Sequence, residues 1–168
     1  MHLVLVSACL LGEPVRYDGG HCRCAHPLLG WWLGEGRVVP ICPEVAAGLA
    51  TPRPPAELAP GGTGPAVLAG AAQVRDAAGR DLTAAFVRGA RLALARARAG
   101  RIRLAVLKDG SPSCASAAIH DGTFTGVRVA GAGVAAALLA QAGIRVFHEG
   151  QLEDAGRFLD QLDREEPG

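Results

Sequence analysis

Three cysteines, one glutamate and two serines hold most of the chemistry this sequence offers. Cys9 (SACLLG), Cys42 (ICPEV) and Cys114 (DGSPSCAS) each follow an apolar run, and each lies in a loop with Pro, Gly, Ser or a carboxylate beside it. Any one of them alone reads equally well as a small buried hydrophobe, a common fate of free cysteine. Together they suit a metal centre. Three thiolates meeting at one point can serve as three ligands of a four-iron cluster and leave one iron open to substrate, as catalytic zinc sites keep one coordination position open. Position alone does not name the metal, and a mononuclear zinc on the same thiolates is the alternative.

Glu44 stands two residues beyond Cys42, close enough to reach the same pocket. A carboxylate there suits proton transfer to or from water or substrate at a Lewis acid. It equally suits a solvated place on a helix's first turn, where negative charge is favoured. Ser111 and Ser113 flank Pro112 just before Cys114; a hydroxyl there orients a bound molecule or caps a turn, and spacing alone favours the turn. The stretch His21-Cys22-Arg23-Cys24-Ala25-His26 is rich in ligand types. Its C-x-C spacing is tighter than that of zinc knuckles and no second pair follows at finger distance, so a polar loop with incidental thiols is expected. No glycine-rich stretch matches a phosphate or dinucleotide loop between a strand and a helix.

The elements that must position these residues are legible in outline. The chain of 168 residues, 49% hydrophobic and 20% charged with 4% aromatics, predicts one domain over 1–168 with an Ala-, Leu- and Val-rich core and neither an internal repeat nor a linker. Buried strands are expected over His2 to Ala8, Arg37 to Ile41, Ile102 to Lys108 and Ile144 to Phe147. Helices are expected over Leu28 to Leu33, from an Asp81 cap to Gly100, over Val134 to Gln141, and over 151–163 around Leu152 to Leu162. Leu49 to Pro65 reads as a long irregular excursion of the kind that often carries function, and Ala66 to Asp76 as a strand or hairpin. Apolar strands alternating with helices predict an α/β three-layer sandwich with a mostly parallel sheet. Its site belongs at the carboxyl ends of the strands, where residues far apart in sequence converge.

Charge and hydropathy exclude other classes. A net charge of +1 argues against a nucleic-acid partner. The arginines Arg88, Arg91, Arg96 and Arg98 fall opposite Leu82, Phe86, Ala90, Ala93, Leu94 and Ala97 on one helix, a solvated face and not an RNA-binding patch. No apolar stretch reaches the roughly 18 to 20 residues of a membrane span. The opening MHLVLVSACLLG lacks the features of a signal peptide, which points to the cytoplasm and to five reduced cysteines.

In order along the chain, SACLLG, RYDGG, VVPICPEV, TPRPPAE, GRDLTAAFVRGA, KDGSPSC, DGTFTG and AGIRVF resemble the 2-thiouracil desulfidase family of bacteria and archaea over about residues 3–149. The chain differs in having Val15 where many relatives carry a further cysteine, in carrying Cys22 and Cys24, and in having Ala115 in place of the usual glycine. The resemblance implies a 4Fe-4S cluster on Cys9, Cys42 and Cys114 whose fourth iron is open to substrate sulfur, with Glu44 as the acid–base carboxylate and Ser111 as the active-site serine. The expected partner is a small thiolated molecule such as a thiopyrimidine, with Asp18 of RYDG as a hydrogen-bond acceptor for a ring N–H. A zinc-thiolate hydrolase and a non-catalytic iron–sulfur sensor remain the alternatives.

Overall fold

In the computed structural model, which describes residues 1–166, the apolar run Val4–Ser7 (β1) lies inside a four-stranded parallel sheet. The elements after it are α1 (Pro27–Gly34), β2 (Val38–Ile41), α2 (Pro43–Ala46), β3 (Ala56–Leu58), α3 (Gly64–Leu68), β4 (Val74–Asp76), α4 (Thr83–Ala99), β5 (Leu104–Leu107), β6 (Ala118–His120), β7 (Arg128–Ala130), α5 (Val134–Gln141), β8 (Arg145–His148) and α6 (Leu152–Glu165). The sheet order is β2-β1-β5-β8, with Val4 in register with Val38 on one side and Leu104 on the other. The chain therefore leaves β1 for β2 and later adds β5 on β1's other edge. That reversal creates the crevice in which open α/β sheets bind ligands.

Both faces of β1 and β5 are buried, which is why these strands are apolar throughout. Val4, Val6, Leu104 and Val106 pack against Leu29 and Trp32 of α1 and Leu152, Ala155, Leu159 and Leu162 of α6. Leu5, Ala105 and Leu107 turn to the other side and meet Ala93, Leu94 and Ala97 of α4 and Ala136 and Leu139 of α5. The result is the expected three-layer α/β sandwich. The small residues of α4 and α5 let them approach closely. At Gly89 the approach is extreme: a Cβ would stand 2.4 Å from the Pro43 carbonyl oxygen, so a glycine is what lets α2 seat on α4.

Two ribbons stand apart from the main sheet, β3 paired with β4 and β6 paired with β7, both antiparallel. Their appearance corrects two expectations. Residues 66–76 are not one strand or hairpin: Thr63 Oγ1 accepts from Ala66 N at 3.3 Å and Pro65 occupies the first turn, so α3 forms first and only Val74–Asp76 is extended. The stretch 49–65 is not wholly irregular, because β3 arises within it to pair with β4. Elsewhere Asp81 Oδ1 accepts from Thr83 N (2.9 Å) and Oγ1 (2.6 Å) just ahead of α4, and Gly100 closes that helix. Among the described residues no helix is long and apolar enough to cross a membrane.

Candidate active site

Each main strand that was expected to deliver a cysteine does so. β1 runs into a short 3-10 turn, Ala8–Leu11, that carries Cys9. Cys42 is the residue between β2 and α2, with Pro43 fixing the helix's first turn. β5 runs into Lys108–Ser113 and then Cys114, which is 6% exposed. Cys9, Cys42 and Cys114 line one cavity of about 440 Å³, together with Glu44, Ser111 and Ser113. Ser111 Oγ accepts from the N–H groups of Ser113 and Cys114, both at 3.1 Å, so it does cap the turn that aims Cys114. Gly133, just ahead of α5, presses on that turn: a Cβ there would come within 2.5 Å of the Ser113 carbonyl carbon.

The thiols are strongly affected by their setting. Burial, with the neighbouring Cys22 and Cys42, pushes Cys9 up to about 12. Burial likewise raises Cys42, the Glu44 carboxylate adding to it. Cys114 is raised by burial and by Cys9, Cys42 and Glu44, against a hydrogen bond from Ser7 that favours the thiolate. Free, the three are protonated near neutral pH; holding a metal group means giving up those protons in exchange for a soft cation. The donor set fits an iron–sulfur cluster, whose cysteine ligands go to different irons. Among the described residues no three His, Cys, Asp or Glu side chains are gathered to hold a single metal ion, whereas thiolates on one zinc stand roughly 3.8 Å apart given zinc–sulfur bonds of about 2.3 Å.

Glu44 is not a freely solvated carboxylate. Its Oε2 accepts from Arg53 Nε at 2.9 Å and Nη2 at 2.6 Å, and its Oε1 accepts from Ser113 Oγ at 3.4 Å. Arg53 is itself fixed by donating to the carbonyls of Val15 and Ala50 and to Thr51 Oγ1. Asp18 is placed differently from the other expected residues. It is exposed, accepts from Gly20 N at 2.8 Å as a turn side chain, and is not among the residues lining the cavity. Cys22 accepts from Arg16 Nη1 at 2.9 Å and Cys24 packs against the core, and neither lines the cavity.

Several cavity residues had no sequence signal of their own. Arg53 and Glu57 lie in TPRPPAE, Lys108 in KDGSPSC, His120 next to DGTFTG and Arg128 just after it. The motifs mark the segments, but only the fold shows which of their side chains reach the cavity. Glu57 Oε1 accepts from Gly122 N (3.0 Å) and Phe124 N (3.2 Å), so it anchors the loop that joins β6 to β7. Ser7 Oγ accepts from Lys108 N at 2.9 Å and ties the ends of β1 and β5 together.

Fold and site define a small α/β enzyme built around a thiol-lined cavity at the carboxyl ends of a parallel sheet. The chain belongs to the 2-thiouracil desulfurase family, whose profile matches residues 4–151. It is similar to the uncharacterized protein YbbK of Bacillus subtilis (strain 168), at 44% identity over 152 residues, covering 90% of this chain and 99% of that protein. It is also similar to the solved structure of the [4Fe-4S]-dependent thiouracil desulfidase TudS. There the identity is 46% and the TM-score 0.87, covering 96% of this chain and 99% of that one.

Proposed function

We propose that this chain, acting as one domain over residues 1–168, is a [4Fe-4S]-dependent desulfidase that removes sulfur from a thiocarbonyl compound such as 2-thiouracil. Overall, water and the thiocarbonyl give the oxo product and hydrogen sulfide, with no net change in oxidation state. Cys9, Cys42 and Cys114 would hold the cluster, each through its deprotonated sulfur. When bound, the cluster supplies a soft Lewis acid with one iron uncommitted to protein.

Support for the remaining roles comes from the cavity. Tyr17 and Phe124 line it with aromatic surface, which suits a planar heterocycle. Ser111 has its oxygen occupied by two backbone N–H groups, which leaves its own proton to donate to the bound substrate. Arg53 engages Glu44 at Oε2 and so fixes the carboxylate plane. Oε1, touched only weakly by Ser113, takes a proton from water as its oxygen adds to the thiocarbonyl carbon and returns it to the departing sulfur.

The observation that carries this reading is the convergence of three thiols, Glu44 and Ser111 from three strand ends on one cavity, in a chain of this family. The test is anaerobic cluster reconstitution followed by a screen of thiolated nucleobases for sulfide release. Broad visible absorbance, about four irons per chain and sulfide from 2-thiouracil are expected. A colourless protein with one zinc would sink the cluster. A full cluster without turnover of any thiolated base would leave a sensor module.

A further inference from the structure

We infer that His120 and Arg128 form a second polar subsite in the cavity, taking the exocyclic oxygen that a thiolated pyrimidine carries beside its sulfur. This rests on the desulfidase reading above and names what that site recognises. The two residues face each other across the β6–β7 ribbon, and both line the cavity. His120 Nδ1 is buried and meets no hydrogen-bond partner among the described residues. Of the arginines lining the cavity, Arg53 pairs with Glu44 and Arg16 donates to Cys22 Sγ, whereas no carboxylate among the described residues pairs with Arg128. Its guanidinium lies across Gly110, where a Cβ would stand 2.7 Å from Nη2. That glycine, at φ +81°, opens the turn carrying Ser111 and Cys114.

An unneutralised guanidinium beside an imidazole on one wall is satisfied by an oxygen acceptor. The guanidinium fork presents paired N–H donors to a carbonyl's two lone pairs, and with Nδ1 sealed from water the Nε2–H of His120 is the ring donor left for the cavity. A full anion fits the wall less well, because the carboxylates of Glu57 and Asp109 line the same cavity. The subsite also acts on the reaction. As water adds, the thiocarbonyl carbon turns tetrahedral and its charge goes to sulfur. The nitrogen shared with the neighbouring carbonyl then gives its lone pair to that carbonyl alone, whose oxygen gains negative charge that a guanidinium stabilises more than in the resting substrate.

The test uses the reconstituted full chain and two substrates, 2-thiouracil and pyrimidine-2-thione, which shares the thiocarbonyl but lacks the second oxygen. Wild type is expected to favour 2-thiouracil in kcat/KM by roughly 10- to 100-fold, the discrimination expected of hydrogen bonds from charged donors. Arg128→Met should erase most of that preference, and His120→Phe part of it, while pyrimidine-2-thione turnover and iron content stay unchanged. Binding of uracil against pyrimidin-2-one, read by calorimetry, should lose its preference in parallel without any turnover. Equal losses on both thiones would make the two residues merely structural and overturn the inference. So would a wild type indifferent to the oxygen, or an Arg128→Met defect seen only with a thiolated nucleotide, which would assign the cation to a phosphate. Sulfide from neither thione would instead count against the desulfidase reading, with the uracil comparison still deciding the subsite.

Discussion

The cavity has a floor and a wall made of different material. Its floor is the set of loops leaving β1, β2 and β5, whose strands are sealed between helices and tied together where Ser7 accepts from Lys108 N. Its wall is two ribbons of three-residue strands, one strand of which, Arg128–Ala130, is exposed along its whole length. The floor carries the three thiols proposed as ligands, which would have to stay in register with one another, and it grows out of the most deeply buried part of the core. The wall, where the proposed substrate would rest, is held by a few polar bonds, Glu57 to the 122–124 backbone among them. A floor change therefore touches the whole fold, whereas a wall change leaves the fold and alters only what is recognised.

The sharpest way to break this contrast is to cut the floor. Cys9→Ser, Cys42→Ser and Cys114→Ser should each abolish cluster binding and activity, since a hard hydroxyl replaces a soft thiolate. Cys22→Ser and Cys24→Ser should keep both; iron per chain and visible absorbance decide, and the reverse pattern would move the site to residues 21–26. Next in size is Glu44→Gln, expected to retain iron but lose about 10²- to 10⁴-fold in kcat, the usual contribution of an acid–base group. Wild-type turnover in that variant would leave Glu44 as only an anchor for Arg53. On the wall, Glu57→Ala should free the 122–124 loop and raise KM for 2-thiouracil by roughly 10-fold, the cost of about one charge-assisted hydrogen bond. Hydrogen exchange at Phe124 should quicken with iron content unchanged; a loss of iron would erase the floor–wall distinction.

The smallest effect belongs to the opposite end of the sheet. Burial alone would raise Asp163, but hydrogen bonds from Arg37 and His2 hold its carboxyl well below the usual range. A carboxylate with a lowered folded value lends stability that is whole above its unfolded value of about 3.9 and fades as pH falls toward the folded one. Asp163→Asn should therefore cost about 1 kcal/mol of unfolding free energy near neutral pH, with the gap to wild type shrinking below pH 4. Iron content and turnover should not move, and paired denaturation curves at several pH values settle it.

The floor was legible in sequence because its physics is periodic. Strands buried on both faces must be apolar throughout, so VLVS and LAVL announce themselves, the partly buried edge strands VVPI and RVFH keep enough of the pattern to be read, and a cysteine just beyond such a run inherits a known place in the fold. The wall lacked that signature. A three-residue exposed strand such as Arg128–Ala130 buries no face and leaves no alternation to read. For α3 the signal was present: Thr63 followed by Pro65 is a helix start, outweighed by the glycines around it. The Arg53 bond to Glu44 spans nine residues of irregular chain, a separation for which no spacing rule exists. Asp18 was singled out for its motif, and its carboxylate is spent on its own turn.

The crossing order of the main sheet also bears on how the protein matures. Cys9 leaves the first strand and Cys114 the strand beside it, yet β2, both strands of the first ribbon and the long helix α4 are made between them. A nascent chain emerging from the ribosome has no complete thiol set until β5 has joined β1 and the turn after it has closed on Gly133. Delivery of the proposed cluster would thereby wait until most of the chain has been made, and the iron content of a purified sample would report on the completeness of its biogenesis.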